Sequence, residues 1–168
     1  LATHDGIGLR PLEGIISKNN IKKLIAPLKS FGAKLTYRKD KDNHLSVYEA
    51  NISLIDAMAG TINGKDNFTY DRFFCAHAIM LCFEGMPSFY IHSLFGTRND
   101  YKLLKSTKIF RSINRHIYDY DYLKTKIYDS NSHISKVYNQ IIKLIEVRKK
   151  QRAFHPNATQ YTLNISNN

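Results

Sequence analysis

The chain has 168 residues, 43% hydrophobic and 12% aromatic, with 23% charged. That composition fits one globular domain and excludes a disordered chain, and no run approaches the ~18 consecutive apolar residues of a membrane helix. The formal charge of +11 is uneven: residues 98–168 hold 14 Lys and Arg against 5 Asp and Glu, whereas residues 1–97 hold 11 against 9.

Leu1-Ala2-Thr3 reads as the end of a strand, without a start Met or secretory leader, as expected of one segment of something longer. Gly6-Ile7-Gly8 reads as a break and Pro11-Leu12-Glu13 as the opening of a short helix. Residues 20–31 have helical periodicity, with Ile21, Leu24, Ile25 and Leu28 on one side, Lys22, Lys23 and Lys29 opposite, and Gly32 as the stop. Leu35-Thr36-Tyr37 and Leu45-Ser46-Val47-Tyr48, separated by a polar stretch, predict a long hairpin or excursion at about 33–52.

Thr69 or Asp71 is expected to cap a helix carrying Phe73, Phe74, Ala76, Ile79, Met80 and Phe83 and ended by Gly85. Pro87 and a buried strand, Phe89-Tyr90-Ile91, follow, as in the second half of a βαβ unit. Cys75 and Cys82 would stand about 10 Å apart on that helix, too far for a disulfide, and read as buried apolar fillers in a reducing, cytoplasmic compartment. Residues 133–152 form a last helix on Ile134, Val137, Ile141, Ile142, Leu144, Ile145 and Val147, with Lys149, Lys150 and Arg152 at its C-terminal end. His155-Pro156-Asn157 breaks the chain, and Tyr161-Thr162-Leu163-Asn164-Ile165 alternates like a new strand. The seven histidines are dispersed, so neither a metal site nor a cofactor is expected.

Several blocks resemble one family, in order. Thr3-His4-Asp5-Gly6-Ile7-Gly8 resembles the His-Asp motif after the seventh barrel strand of the α-amylase family, glycoside hydrolase family thirteen. Its glycine-rich continuation is similar to the sucrose phosphorylase and glucosylglycerate phosphorylase branch. Leu45-Ser46-Val47-Tyr48-Glu49-Ala50-Asn51 resembles that branch's acceptor loop, and Gly85-Met86-Pro87-Ser88-Phe89-Tyr90 its entry into strand eight. Gly96-Thr97-Arg98-Asn99-Asp100 with Arg111-Ser112-Ile113-Asn114-Arg115 resembles its arginine-bearing loop, and residues 153–158 its junction with a C-terminal β domain. Glu84, where the family has Pro, and Lys108-Ile109-Phe110, where it is richer in Gly and Arg, depart from the pattern.

The resemblance implies an α/β fold: part of a TIM (β/α)8 barrel over 1–157, from the end of strand 7 through helix 8, then the first strand of a C-terminal β domain over 158–168. It implies part of a retaining phosphorylase that converts sucrose or a related α-glucoside and phosphate to glucose 1-phosphate. Asp5 takes the place of the transition-state-stabilising carboxylate, with His4 beside it on a glucosyl hydroxyl. Arg111 takes the place of the phosphate-binding arginine, with Tyr48 and Glu49 shaping the same pocket. Arg98 and Asp100 are expected at the rim, either on substrate or paired in a salt bridge that holds the loop; Asn114 and Arg115 are expected to fix that loop's backbone, and Tyr118, Tyr120 and Tyr122 to pack it. Glu49 would repel a second phosphate on the donor.

Nothing resembles the family's nucleophile or acid/base segment, so the chain alone is expected to be inactive, and its exposed edges invite self-association. Two readings from other classes stand beside this one: a non-catalytic sugar-binding or interaction remnant, and a basic nucleic-acid-binding module. The scatter of Lys102, Lys105, Lys108 and Lys124 over the basic half disfavours the last.

Overall fold

Apolar residues spaced for helices at both ends of the chain, and alternating residues between them, divide the molecule into a sheet with a helix across it and a helical half. A computed structural model of the chain describes residues 1–39 and 43–163. The elements run β1 (Ile7–Gly8), α1 (Lys18–Ser30), β2 (Lys34–Lys39), β3 (Leu45–Asn51), α2 (Leu54–Ala57), β4 (Gly60–Thr61), β5 (Gly64–Lys65), α3 (Thr69–Cys82), α4 (Ile91–Leu94), α5 (Tyr101–Thr107), α6 (Tyr120–Tyr128) and α7 (His133–Lys150). Short 3-10 turns at Arg10–Leu12, Phe110–Asn114 and Arg152–Phe154 link them.

The expected hairpin is β2–β3, paired antiparallel from Lys34 opposite Asn51 to Lys39 opposite Leu45, with an irregularity at Thr36/Tyr37. β1 adds on the other side of β3, Ile7 facing Ala50, so the sheet order is β1-β3-β2. Gly6-Ile7-Gly8 therefore makes a strand rather than a break, because β3 offers it a ladder. Gly6 sits at φ +102°, and a Cβ there would collide with the Ala50 carbonyl and lie 2.9 Å from Asn51 Cα, so only glycine lets this turn close on β3.

α1 begins where Ser17 Oγ accepts the Asn20 N–H at 3.2 Å, and it lays Ile25 and Leu28 on the sheet. There they bury with Leu9, Phe31, Ala33, Ala50 and Ile52, while Leu24, expected on the same stripe, is exposed. A second cluster, of Ala2, Leu54, Ile55, Phe73, Val137 and Ile141, joins α2, α3 and α7. α7 begins at its Ser132 cap, whose Oγ accepts the Ser135 N–H at 2.9 Å.

α3 has neither a Thr69 nor an Asp71 cap: Phe68 is its N-cap residue, and Asp66 Oδ1 accepts the Phe68 N–H at 2.8 Å. Its buried stripe is Phe73, His77 and Leu81, spaced by four; Ile79 and Phe83 fall off that stripe and are exposed. Cys75 and Cys82 are exposed free thiols for the same reason. Phe89 and Tyr90 run without a ladder, and Ile91 opens α4, so no buried strand forms at 89–91 among the described residues. Thr3 does not end a strand ladder but bridges to Gly6 across a tight turn. Tyr161 and Leu163 are exposed and unladdered, while Asn164 and Ile165 of that expected strand lie outside the described residues. No helix among the described residues is long and apolar enough to cross a membrane.

Candidate active site

His4 and Asp5 form the two-residue tip of the turn closed by paired hydrogen bonds between Thr3 and Gly6, at 2.9 and 3.0 Å. A two-residue tip points both side chains away from the ladder, and here they meet the 3-10 turn at Phe110–Asn114 and the Arg115 that follows it. Arg115 Nη2 lies 2.9 Å from Asp5 Oδ1, Arg111 Nε 3.2 Å and His4 Nε2 3.3 Å from the same oxygen. The nearest contact of each of the three falls on Oδ1, and among the described residues no hydrogen bond reaches Oδ2 of this side chain, which is 26% exposed.

Arg111 is shared. Its Nε donates to Glu49 Oε2 at 3.1 Å and its Nη2 to Glu49 Oε1 at 2.7 Å, a two-pronged pair. Glu49 is only 3% exposed. Its hydrogen bonds push the Arg111 guanidinium above its usual range against partial desolvation, and the charges of Glu49 and Asp5 add to that.

Behind these groups stands Asn51, fully buried on the same face of β3 as Glu49. Its Nδ2 donates to the Asp5 carbonyl at 2.6 Å and to Glu49 Oε2 at 3.3 Å, and its Oδ1 accepts from Thr36 Oγ1 at 2.7 Å. Asn114 does similar work below: its Nδ2 donates to the Thr3 carbonyl at 2.7 Å, and its own carbonyl accepts the Tyr90 hydroxyl at 2.7 Å. Arg115 Nε donates to the His4 carbonyl at 2.9 Å. Asn114 and Arg115 thus hold the backbone of the Thr3–Gly6 turn rather than that of their own loop, and Arg115 in addition holds Asp5. Burial raises the Tyr90 phenol pKa, with Arg115 opposing and Asp5 adding, which fits a hydroxyl beneath this cluster.

Sequence reasoning brought Asp5, His4, Glu49 and Arg111 together correctly but missed Asn51 and the Asp5 role of Arg115. Asn51 carried one legible signal, its spacing of two from Glu49 on a strand. Tyr48, at the irregularity of β3 between Val47 and Glu49, lies under Arg38, whose guanidinium carbon is 4.1 Å from the ring centre, and stands near enough to Arg111 to act on its guanidinium. Tyr118 is half-buried and shares a hydrogen bond with Thr97, whereas Tyr120 and Tyr122 are exposed on α6, where no packing strip forms.

The expected Arg98–Asp100 bridge is absent because both residues find other partners. Arg98 Nη1 donates to Asp56 Oδ1 at 2.8 Å, while Asp56 Oδ2 accepts the Asn99 N–H at 2.7 Å and the Ser53 hydroxyl at 3.1 Å. Asp100 caps α5 through the Leu103 N–H and lies 2.6 Å from His116 Nδ1. Arg98 and Asp100 line a cleft of about 990 Å³ with His116, Tyr118 and His133, a lining that includes none of Asp5, Glu49 or Arg111. Among the described residues no group of three or more His, Cys, Asp or Glu could hold a metal ion.

No family model matches the chain. It is 36% identical over 168 residues to the glucosylglycerate phosphorylase of Escherichia coli (strain K12), covering 99% of this chain and 30% of that protein. It is 32% identical over 120 residues to the sucrose phosphorylase of Streptococcus mutans, covering 70% of this chain and 23% of the relative. The crystal structure of sucrose 6F-phosphate phosphorylase from Thermoanaerobacter thermosaccharolyticum superposes with a TM-score of 0.73 at 28% identity, over 90% of this chain and 29% of that one. The chain therefore spans about three tenths of the length of the relatives it matches.

Proposed function

The chain is homologous to the glucosylglycerate and sucrose phosphorylases of the α-amylase family, and from that premise we propose that it is part of a retaining α-glucosyl phosphorylase. It supplies the end of the barrel, about residues 1–157, after which a C-terminal β domain begins. Residues beyond this chain supply the nucleophile and the acid/base. The observation that carries the reading is Asp5 itself: the Arg111 and Arg115 guanidiniums and the His4 imidazole gather on one of its oxygens, and among the described residues no hydrogen bond reaches the other. A carboxylate fixed in this way accepts a sugar hydroxyl and places its charge against an oxocarbenium-like glucosyl group without forming a bond to it.

In this reading His4 donates to a neighbouring glucosyl hydroxyl, and Arg111 receives the phosphate. Tyr48 and Glu49, on the strand beside Arg111, shape the acceptor side. Arg98 and Asp100, committed to Asp56 and to His116, hold the loop rather than the substrate. The donor is sucrose or a related α-glucoside such as glucosylglycerate, the second substrate inorganic phosphate, and the product glucose 1-phosphate.

Glucose 1-phosphate formed by the complete polypeptide from each donor and phosphate tests this. Asp5→Asn should lower kcat about 100-fold or more, because the charge acts only on the transition state. The chain in isolation should form no product. Full activity in the Asp5→Asn enzyme refutes the assignment.

A further inference from the structure

The Arg111 fork presents two parallel N–H donors, the geometry that grips two oxygens of one anion. That seat is occupied. Glu49 fills it with both carboxylate oxygens, at 3.1 and 2.7 Å. The cluster is also balanced, with Asp5 and Glu49 set against Arg111 and Arg115, so no uncompensated arginine waits for a dianion. We infer that Glu49 is the resident occupant of the anion seat, and that a phosphate dianion takes the Arg111 fork by exchanging with it, while uncharged acceptors leave the pair closed. The inference rests on Arg111 being the phosphate-binding residue of the reading above.

The structure says which partner moves. Glu49 is 3% exposed, lies within a strand paired on both sides, and receives the Asn51 amide at 3.3 Å. Arg111 belongs to a short 3-10 turn, and its side chain is 35% exposed. The arginine swings and the carboxylate stays. Asn51 keeps one hydrogen bond on Glu49 when the guanidinium leaves, which limits the penalty of a bare buried carboxylate. A water or sugar hydroxyl offers no charge to compensate that loss, so the exchange favours a two-oxygen anion over a neutral acceptor.

Glu49→Gln removes the competing charge at nearly constant shape, and Glu49→Asp keeps the charge but is one methylene too short to reach both nitrogens. Calorimetric titration of the complete polypeptide with inorganic phosphate should show both variants binding about tenfold tighter than the parent. Phosphate affinity that is unchanged or weakened in both overturns the exchange and leaves Glu49 as a fixed support for Arg111. Tightened binding in an enzyme that never forms glucose 1-phosphate upholds the exchange and refutes the proposed activity. No phosphate binding by parent or variants overturns both.

Discussion

Arg148 lies 7% exposed near the end of α7, and its guanidinium closes the end of another helix. Nη1 donates to the Leu81 carbonyl and, at 2.9 Å, to that of Phe83; Nη2 donates to the Gly85 carbonyl at 2.7 Å. α3 stops at Cys82 with Phe83 already extended, so its last carbonyls lack the left-handed glycine cap that would satisfy them. In Arg148→Met the apolar stem stays and the donors go. Hydrogen bonds from a charged donor contribute about 1.5–3 kcal/mol each, but the carbonyls of exposed Phe83 and of Gly85 regain water. Leu81, 4% exposed, is left with the main penalty, and the sum is about 3 kcal/mol. For a chain of this length that lowers Tm by about 6–12 °C. Thermal unfolding followed by circular dichroism measures it, with Arg148→Lys expected about halfway because a lysine reaches fewer carbonyls. A loss below about 1 kcal/mol for Arg148→Met would refute the reasoning.

Gly96 has φ +58°, and a Cβ there would lie 2.8 Å from Val137 Cγ2 and 3.0 Å from His133 Nε2. Gly96→Ala should therefore cost about 2–4 kcal/mol in chemical denaturation, whereas Gly14→Ala, at φ +80° with open space around it, should cost about 1–2 kcal/mol; equal losses would contradict the packing reason. Burial lowers the pKa of His77, opposed by its hydrogen bond to the Phe73 carbonyl, and burial then the nearby His116 lower that of His92. The unfolded chain takes up protons below about pH 6.5 that the folded one refuses, so stability should fall from pH 7 toward 5 by up to about 1.4 kcal/mol per pH unit for each histidine. His77→Phe should flatten about half of that slope, and a flat parent curve would rule the mechanism out. Asp56→Ala, which frees the Asn99 N–H, the Ser53 hydroxyl and Arg98, should cost about 2–3 kcal/mol, against under about 1 kcal/mol for Arg98→Ala, whose side chain is 49% exposed; a denaturation series in which Arg98→Ala costs as much would reverse the assignment.

The candidate site was legible as far as residue type and order carry. Asp5 on a glycine-flanked turn, Glu49 in a hairpin and Arg111 on a later loop come together over more than a hundred residues of chain. What escaped were groups whose role depends on a direction rather than a type. Asn51 looks like any strand amide until its three hydrogen bonds are seen. Arg148 looks like one more cation in a basic helix end. Arg98 and Asp100 look like natural partners at a spacing of two, yet Asp56 and His116, distant in sequence, stand closer in space.

The sequence by itself determined the elements that local physics controls: α1, the β2–β3 hairpin, α3 and α7 follow from the spacing of their apolar residues, and α1 from its glycine stop as well. Only the tertiary structure decided which side of each element is covered, because burial depends on what packs against it. Cys75 is exposed while His77, two residues on, is buried, and Phe89–Tyr90 stays extended without a ladder, since a strand exists only where a neighbour supplies hydrogen bonds. Charge pairing was decided at the same level, since a carboxylate settles on whichever cation the fold brings within about 3 Å, whatever their separation along the chain.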